Sequence, residues 1–164
     1  MSVKEVNGAA SGTPTTVTNV RFCTTDSHNP GTSFPMVKPG SGGTNFSFKK
    51  TLYLNADTTP SSLINNIKFF TDGSIGWTGV VVEGAAANTY AQATGTEGTT
   101  GDDANLTTNI ATYTPASPLS LTGSISNPNT GKVSQFLELQ VVISDAAGPG
   151  ILSSETAGFR YDEV

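Results

Sequence analysis

Residues Val133 to Ser144 read VSQFLELQVVIS, the longest run of strand character in the chain without Gly or Pro. At a period of two, Val133, Leu137, Leu139, Val141 and Ile143 share one face with Gln135, and Ser134, Phe136, Glu138, Gln140, Val142 and Ser144 take the other. An apolar face backed by a mixed one is the pattern of a central strand whose inner side packs on a core. Extended at ~3.3 Å per residue, the run would span roughly 40 Å. That exceeds a typical strand, so a bulge or bend is expected near Glu138. No window of helical length carries apolar residues at i, i+3, i+4 and i+7, and Thr, a β-branched residue, is the commonest in the chain. Both features direct the chain to an all-β fold.

At 164 residues the chain fits one domain and can bury roughly 70% of its unfolded surface without cross-links. Residues 1–16 are small and polar and end in Thr13-Pro14-Thr15-Thr16; they are expected to form a flexible N-terminal arm, loose alone or ordered against a neighbour. Residues 17–164 then make a single β-sandwich domain, with Val17 to Cys23 as its first strand. The stretch 24–45 holds Pro30, Pro35, Pro39 and a GSGG cluster, which forbid a central strand and mark a long Pro/Gly-rich surface loop. Its Phe34, Met36 and Val37 are too apolar for plain solvent exposure. They are the candidate intersubunit contacts.

Phe46 to Leu54 reads as a strand with Phe46, Phe48, Lys50, Leu52 and Leu54 on one face. Ile64 to Phe70 is a second, turned by Thr71-Asp72-Gly73-Ser74 into Trp77 to Glu83 as its partner. Asn88 to Thr94 alternates weakly, and Gly95 to Asp103 is a glycine-rich acidic loop. Leu106 to Tyr113, Leu119 to Ile125 and Glu155 to Asp162 supply further short strands, and Asn127 to Gly131 is a turn into the central one. Eight or nine strands with little helix fit a two-sheet β-sandwich of jelly-roll or immunoglobulin-like type.

The formal charge of −5 and eight scattered basic residues lack the clustered Lys and Arg of a nucleic-acid footprint. The one adjacent pair, Lys49-Lys50, would point to opposite faces of a strand. No direct nucleic-acid partner is expected. Cys23 stands alone, so neither a disulfide framework nor a CxxC metal site is available, and it reads as a small buried hydrophobe. The N-terminal stretch has no apolar signal region and no run is long enough for a membrane span, which points to synthesis in the cytoplasm without membrane association.

For catalysis, Asp26, Ser27 and His28 adjoin in sequence, whereas a working triad is assembled from separate elements. No catalytic residue is assigned. Asp72, Asp102, Asp103, Asp145 and Asp162 could offer oxygen ligands, but none has the spacing of a calcium loop; no metal and no cofactor is expected. The aromatic residues open one alternative. Trp77, Tyr90 and Tyr113, with Tyr53 and Tyr161, have the apolar rings and polar edges of a carbohydrate-binding module, and Trp77, Tyr90 and Tyr113 are its candidate sugar-stacking residues, against a competing role in core packing.

Three segments together carry a family likeness: Ile67 to Gly73 followed by Gly76 to Val80; Tyr90 to Thr96 with the acidic loop; and Phe136 to Gln140 through Gly148-Pro149-Gly150 to Ser154-Glu155-Thr156 and Phe159 to Glu163. From about residue 46 to 164, the chain resembles small all-β structural proteins of tailed bacteriophages and prophages. The resemblance implies a non-enzymatic virion protein, foremost a capsid decoration or cement protein that stabilises the particle by bridging subunits. A tail- or fibre-associated protein is the alternative. Its implied partners are the major capsid protein or another virion protein and copies of itself, a trimer among them.

Overall fold

Two antiparallel sheets make up the regular structure of the computed structural model, which describes residues 1–9, 12–95 and 106–164. The seven-stranded sheet contains β1 (Ser2–Asn7), β2 (Thr13–Thr16), β3 (Thr44–Phe46), β4 (Lys50–Ala56), β6 (Val80–Ala87), β9 (Gly131–Lys132) and β10 (Phe136–Ser144). The four-stranded sheet contains β5 (Leu63–Thr71), β7 (Leu119–Leu121), β8 (Ile125–Ser126) and β11 (Ala157–Glu163). A single 3₁₀ turn, Ile110–Thr112, is the helical content of the described residues. One core cluster joins the sheets: Leu52, Leu54, Val80, Val82, Leu137, Leu139, Val141 and Ile143 from the larger meet Ile64, Ile67, Phe69 and Leu121 from the smaller. The fold is therefore an all-β sandwich. It has more strands than the expected eight or nine, because the N-terminal segment adds two and several short pieces pair separately.

Strand β10 is central, as its pattern requires. It pairs with β6 through eight unbroken rungs, from Phe136 opposite Ala87 to Ile143 opposite Val80. Its other side is shared by β4, opposite Leu137 to Leu139, and β3, opposite Val142 to Ser144. The bulge expected near Glu138 is in the partner instead. Phe46 and Lys50 are four residues apart where their partners Val142 and Leu139 are three apart, so one extra residue is absorbed between β3 and β4. Ser47 fills the gap: its N–H donates to the Val141 carbonyl at 3.0 Å and its Oγ accepts from the Val141 N–H at 2.9 Å. Phe46 and Phe48, expected to alternate with Leu52 and Leu54 into the core, are only half-buried, and Ser47 is buried in their place. A second bulge lies in β5, where Asn66 takes a left-handed φ of 50°. It lets Ile64 and Ile67, three residues apart, both enter the core.

Several sequence expectations are corrected. Residues 1–16 are not a free arm: β1 lies between β2 and β4, with Val3 opposite Leu54 and Glu5 opposite Leu52. Charges at Lys4 and Glu5 disguised the strand, because their partners come from far along the chain. Val17 to Cys23 forms no strand; this irregular segment packs Val17, Val20 and Phe22 against the core. Asp72 does make a turn, accepting the Ser74 N–H at 2.9 Å. The chain then crosses to the other sheet, so β6 pairs with β10 while β5 pairs with β7, β8 and β11. Asn88 to Thr94 has no strand, and Leu106 to Tyr113 holds the 3₁₀ turn. The acidic loop from 96, with Asp102 and Asp103, lies outside the described residues.

Leu137 is fully buried at the centre of β10, whereas Val81 on β6 is 36% exposed. Leu137→Ala should lower the unfolding free energy by about 2–5 kcal/mol, and Val81→Ala by no more than about 0.5 kcal/mol, both read from urea denaturation. Equal losses would contradict this placement of the core.

Candidate functional site

The adjacent lysines at the start of β4 point to opposite faces of the larger sheet, and both are buried. Lys49 Nζ contacts Glu138 Oε1 at 2.7 Å, with each side chain 4% exposed. Lys50 Nζ contacts Glu5 Oε1 at 3.4 Å, and both side chains are fully buried. Neither lysine contributes to a surface patch. Their neighbours follow from strand alternation: Glu138 sits opposite Thr51, one residue away from the core-facing Leu137 and Leu139, while Lys50 is opposite Leu139 and so shares the core face.

The Lys50 side chain lies in a compact polar cluster. Besides Glu5, its ammonium donates to Cys23 Sγ at 3.5 Å and to the Ser27 carbonyl. The Asn7 Nδ2 group reaches Glu5 Oε1 at 3.3 Å and Asp26 Oδ1 at 3.2 Å. Asp26 accepts further hydrogen bonds from the Gly8 N–H at 2.9 Å and Gln92 Nε2 at 3.1 Å. Two buried atoms in this cluster have no hydrogen-bond partner, Glu5 Oε2 and Asn7 Oδ1. Burial pushes the Glu5 carboxyl above its ordinary value, against the opposing pull of Lys50, Asn7 and His28. Asp26 has no hydrogen bond to His28, and the Ser27 carbonyl faces Lys50, so the three adjacent residues do not assemble as a triad. No group of three or more His, Cys, Asp and Glu side chains among the described residues converges as a metal site.

Above this cluster runs the loop that contains the candidate contact residues. Thr24 closes it, its N–H and Oγ1 donating to the Phe34 carbonyl at 3.0 and 3.2 Å. Asn45 Nδ2 donates to the Val37 carbonyl at 2.7 Å, and the Gly42 N–H donates to Asp145 Oδ2 at 2.6 Å. Met36 packs against the core, but Phe34 is 56% and Val37 51% exposed. Phe34 also has a left-handed φ of 55°, an unfavourable conformation for a side chain of that size. Sequence reading missed a second apolar surface element, Ile151 and Leu152, both exposed. Two aliphatic residues following Gly148-Pro149-Gly150 were its only sequence signal.

The three candidate sugar-stacking residues are not brought together. Trp77 is half-buried against the core, and its indole N–H donates to the Ser153 carbonyl at 2.9 Å. Tyr90 packs against Phe136 and donates its hydroxyl to the Gly8 carbonyl at 2.6 Å; burial and Asp26 raise that hydroxyl to about 12. Tyr113 leans on Phe69 and directs its hydroxyl at the Gly84 carbonyl, 3.5 Å away. Each polar edge is thus turned to the chain's own backbone. Concavities at Thr16, Asn19, Arg21 and His28, and at Phe70, Pro115 and Ala157, are open. No helix of the described residues is long and apolar enough to cross a membrane.

In comparisons with known proteins, no family model, no curated protein and no solved structure matches this chain.

Removing one member of a buried ion pair leaves an uncompensated charge, so Glu138→Ala should cost about 3–5 kcal/mol, while Lys49→Met with Glu138→Leu should be near neutral. A double-mutant cycle in urea checks this. For Glu5 the folded pKa lies above the ordinary 4.5. Its contribution is therefore present below that value and lost as pH rises through the folded one. Compared with Glu5→Gln, the native chain should lose stability across that interval. Parallel pH profiles would show that burial does not control this carboxyl.

Proposed function

We propose that this chain is a non-enzymatic structural protein of a bacteriophage particle, a decoration or cement protein that stabilises the shell by bridging subunits. Its partners in this reading are the major capsid protein, or another virion protein, and copies of itself, and its location is the virion. The observation that carries the proposal is the loop that displays Phe34. A large aromatic is held half out of the protein, on unfavourable backbone, in a loop hydrogen-bonded to the body near its start, at Asp26, and near its end, at Gly42. Solvent alone gives no reason to keep that arrangement. A partner with an apolar pocket does, because buried aromatic anchors supply much of the binding energy of protein interfaces.

The sandwich supports the same reading. A bridging protein needs a rigid frame that presents contact loops, and here the body holds the loop at Asp26, through the Gly8 N–H, and at Gly42, through Asp145. The family resemblance then favours the capsid, with a tail- or fibre-associated role as the alternative on the same contacts. Carbohydrate binding loses ground because Trp77, Tyr90 and Tyr113 direct their polar edges to internal carbonyls.

The chain should appear in stoichiometric amount when particles from the culture that expresses it are analysed by mass spectrometry. Phe34→Gly separates contact from stability. It relieves a left-handed side-chain conformation that costs roughly 1–2 kcal/mol, so Tm should hold or rise while incorporation into particles falls at least tenfold. Full incorporation of Phe34→Gly, or absence of the native chain from particles, would overturn the reading.

A further inference from the structure

The polar cluster under the loop brings together a lysine, an asparagine and a carboxyl group, the three groups that an amide exchange uses. The rung that pairs Val6 with Thr51 sets Asn7 beside Lys50 at the next position, and side chains at such positions start within reach of each other. Lys50 Nζ and Asn7 Nδ2 both contact one oxygen of Glu5, at 3.4 and 3.3 Å. The other Glu5 oxygen and the Asn7 carbonyl oxygen are, among the described residues, the two buried side-chain atoms without hydrogen-bond partners. A carboxyl in contact with both an amine and an amide, with one oxygen left unpartnered, can carry protons from one to the other.

We propose that Lys50 and Asn7 form an intramolecular isopeptide bond, with Glu5 as the proton carrier. Glu5 takes a proton from the Lys50 ammonium, which neutralises both groups. The freed Nζ lone pair attacks Asn7 Cγ, and the electron pair of the carbonyl moves onto Oδ1, which accepts a hydrogen bond from the Glu5 carboxyl. Glu5 passes its proton to Nδ2 and receives the second proton of Nζ. The carbonyl re-forms, the Cγ–Nδ2 bond breaks and ammonia leaves. One C–N bond has formed and one has broken, with no oxidant or cofactor. Burial that favours protonated Glu5 acts in the same direction.

A competing reaction exists at the same carbon. Asn7 is followed by Gly8, and attack by the Gly8 amide nitrogen would close a succinimide, also with loss of ammonia. Here that N–H is engaged by Asp26 at 2.9 Å, and replacing Lys50 separates the two routes. The bond would tie β1 to β4 at the end next to the N-terminal turn. This inference does not depend on the role proposed for Phe34.

Intact-mass spectrometry of the purified, folded chain decides the matter. The mass should fall short of the sequence mass by one ammonia, and tryptic digestion should yield one branched peptide pair joined through Asn7 and Lys50, with Lys50 resistant to cleavage. Lys50→Arg and Glu5→Gln, each checked for native circular dichroism, should return to the full sequence mass. Full mass in the folded native chain overturns the proposal. So does an ammonia loss that persists in Lys50→Arg, since it then belongs to the succinimide.

Discussion

Two neighbouring lysines can both be buried only if the larger sheet keeps one register, and that requirement reaches most of the fold. Lys49 meets Glu138 on one face and Lys50 meets Glu5 on the other. A slip of β4 by one residue would exchange the two faces, turn Leu52 and Leu54 away from the core and leave ammonium groups without their carboxylates. Each broken pair of this kind costs about 3–5 kcal/mol, comparable to a whole large core side chain. The pairs therefore act less as net stabilisers than as a penalty on every alternative alignment of β1, β4 and β10.

The bulge between β3 and β4 belongs to the same constraint. With an extra residue between Phe46 and Lys50, the segment changes the face presented by its side chains, so that β3 and β4 can both follow β10 while Lys49 and Lys50 reach opposite carboxylates. Ser47 satisfies the Val141 backbone where a regular ladder would be interrupted. The irregular stretch from Val17 to Met36 completes the arrangement by packing Val17, Val20, Phe22 and Met36 on the core and setting Cys23 and the Ser27 carbonyl over Lys50.

Legibility in the sequence followed physical range. Strands β4 and β10 were readable because each alternates apolar and polar residues over its own length, and β5 because its apolar residues run between turn signals despite the break at Asn66; those signals are local. Strand β1 was not, because the partner that neutralises Glu5 is Lys50, and nothing near residue 5 announces it. Pro14 had a second meaning as well. It was read as part of an arm, yet Pro is tolerated on an edge strand, and β2 is the edge, with Pro14 opposite Val6. The turn at Asp72 was read correctly and its consequence wrongly, since a turn fixes a change of direction and not the sheet that the next strand joins. Of the candidate site, Phe34 and Val37 were visible as apolar residues in a polar loop. The Lys50, Glu5 and Asn7 cluster was not, because it exists only after β1 and β4 are paired.

In a twisted sandwich the strands at the sheet edges are the first to come apart. An edge strand is released rung by rung, since its hydrogen bonds are exposed on one side and break in sequence, whereas β10 is held from both sides and must lose two ladders together. The N-terminal hairpin of β1 and β2 is such an edge, and within the sheet β1 joins the body through its pairing with β4. Its inner face is where Glu5 is fully buried against Lys50. The polar cluster thus fastens this sheet margin through Glu5 and Asn7, beside the apolar contacts that Val3 makes with the core. A rigid margin in turn fixes Gly8 and Asp26, and through Asp26 the base of the loop that begins at Thr24 and displays Phe34.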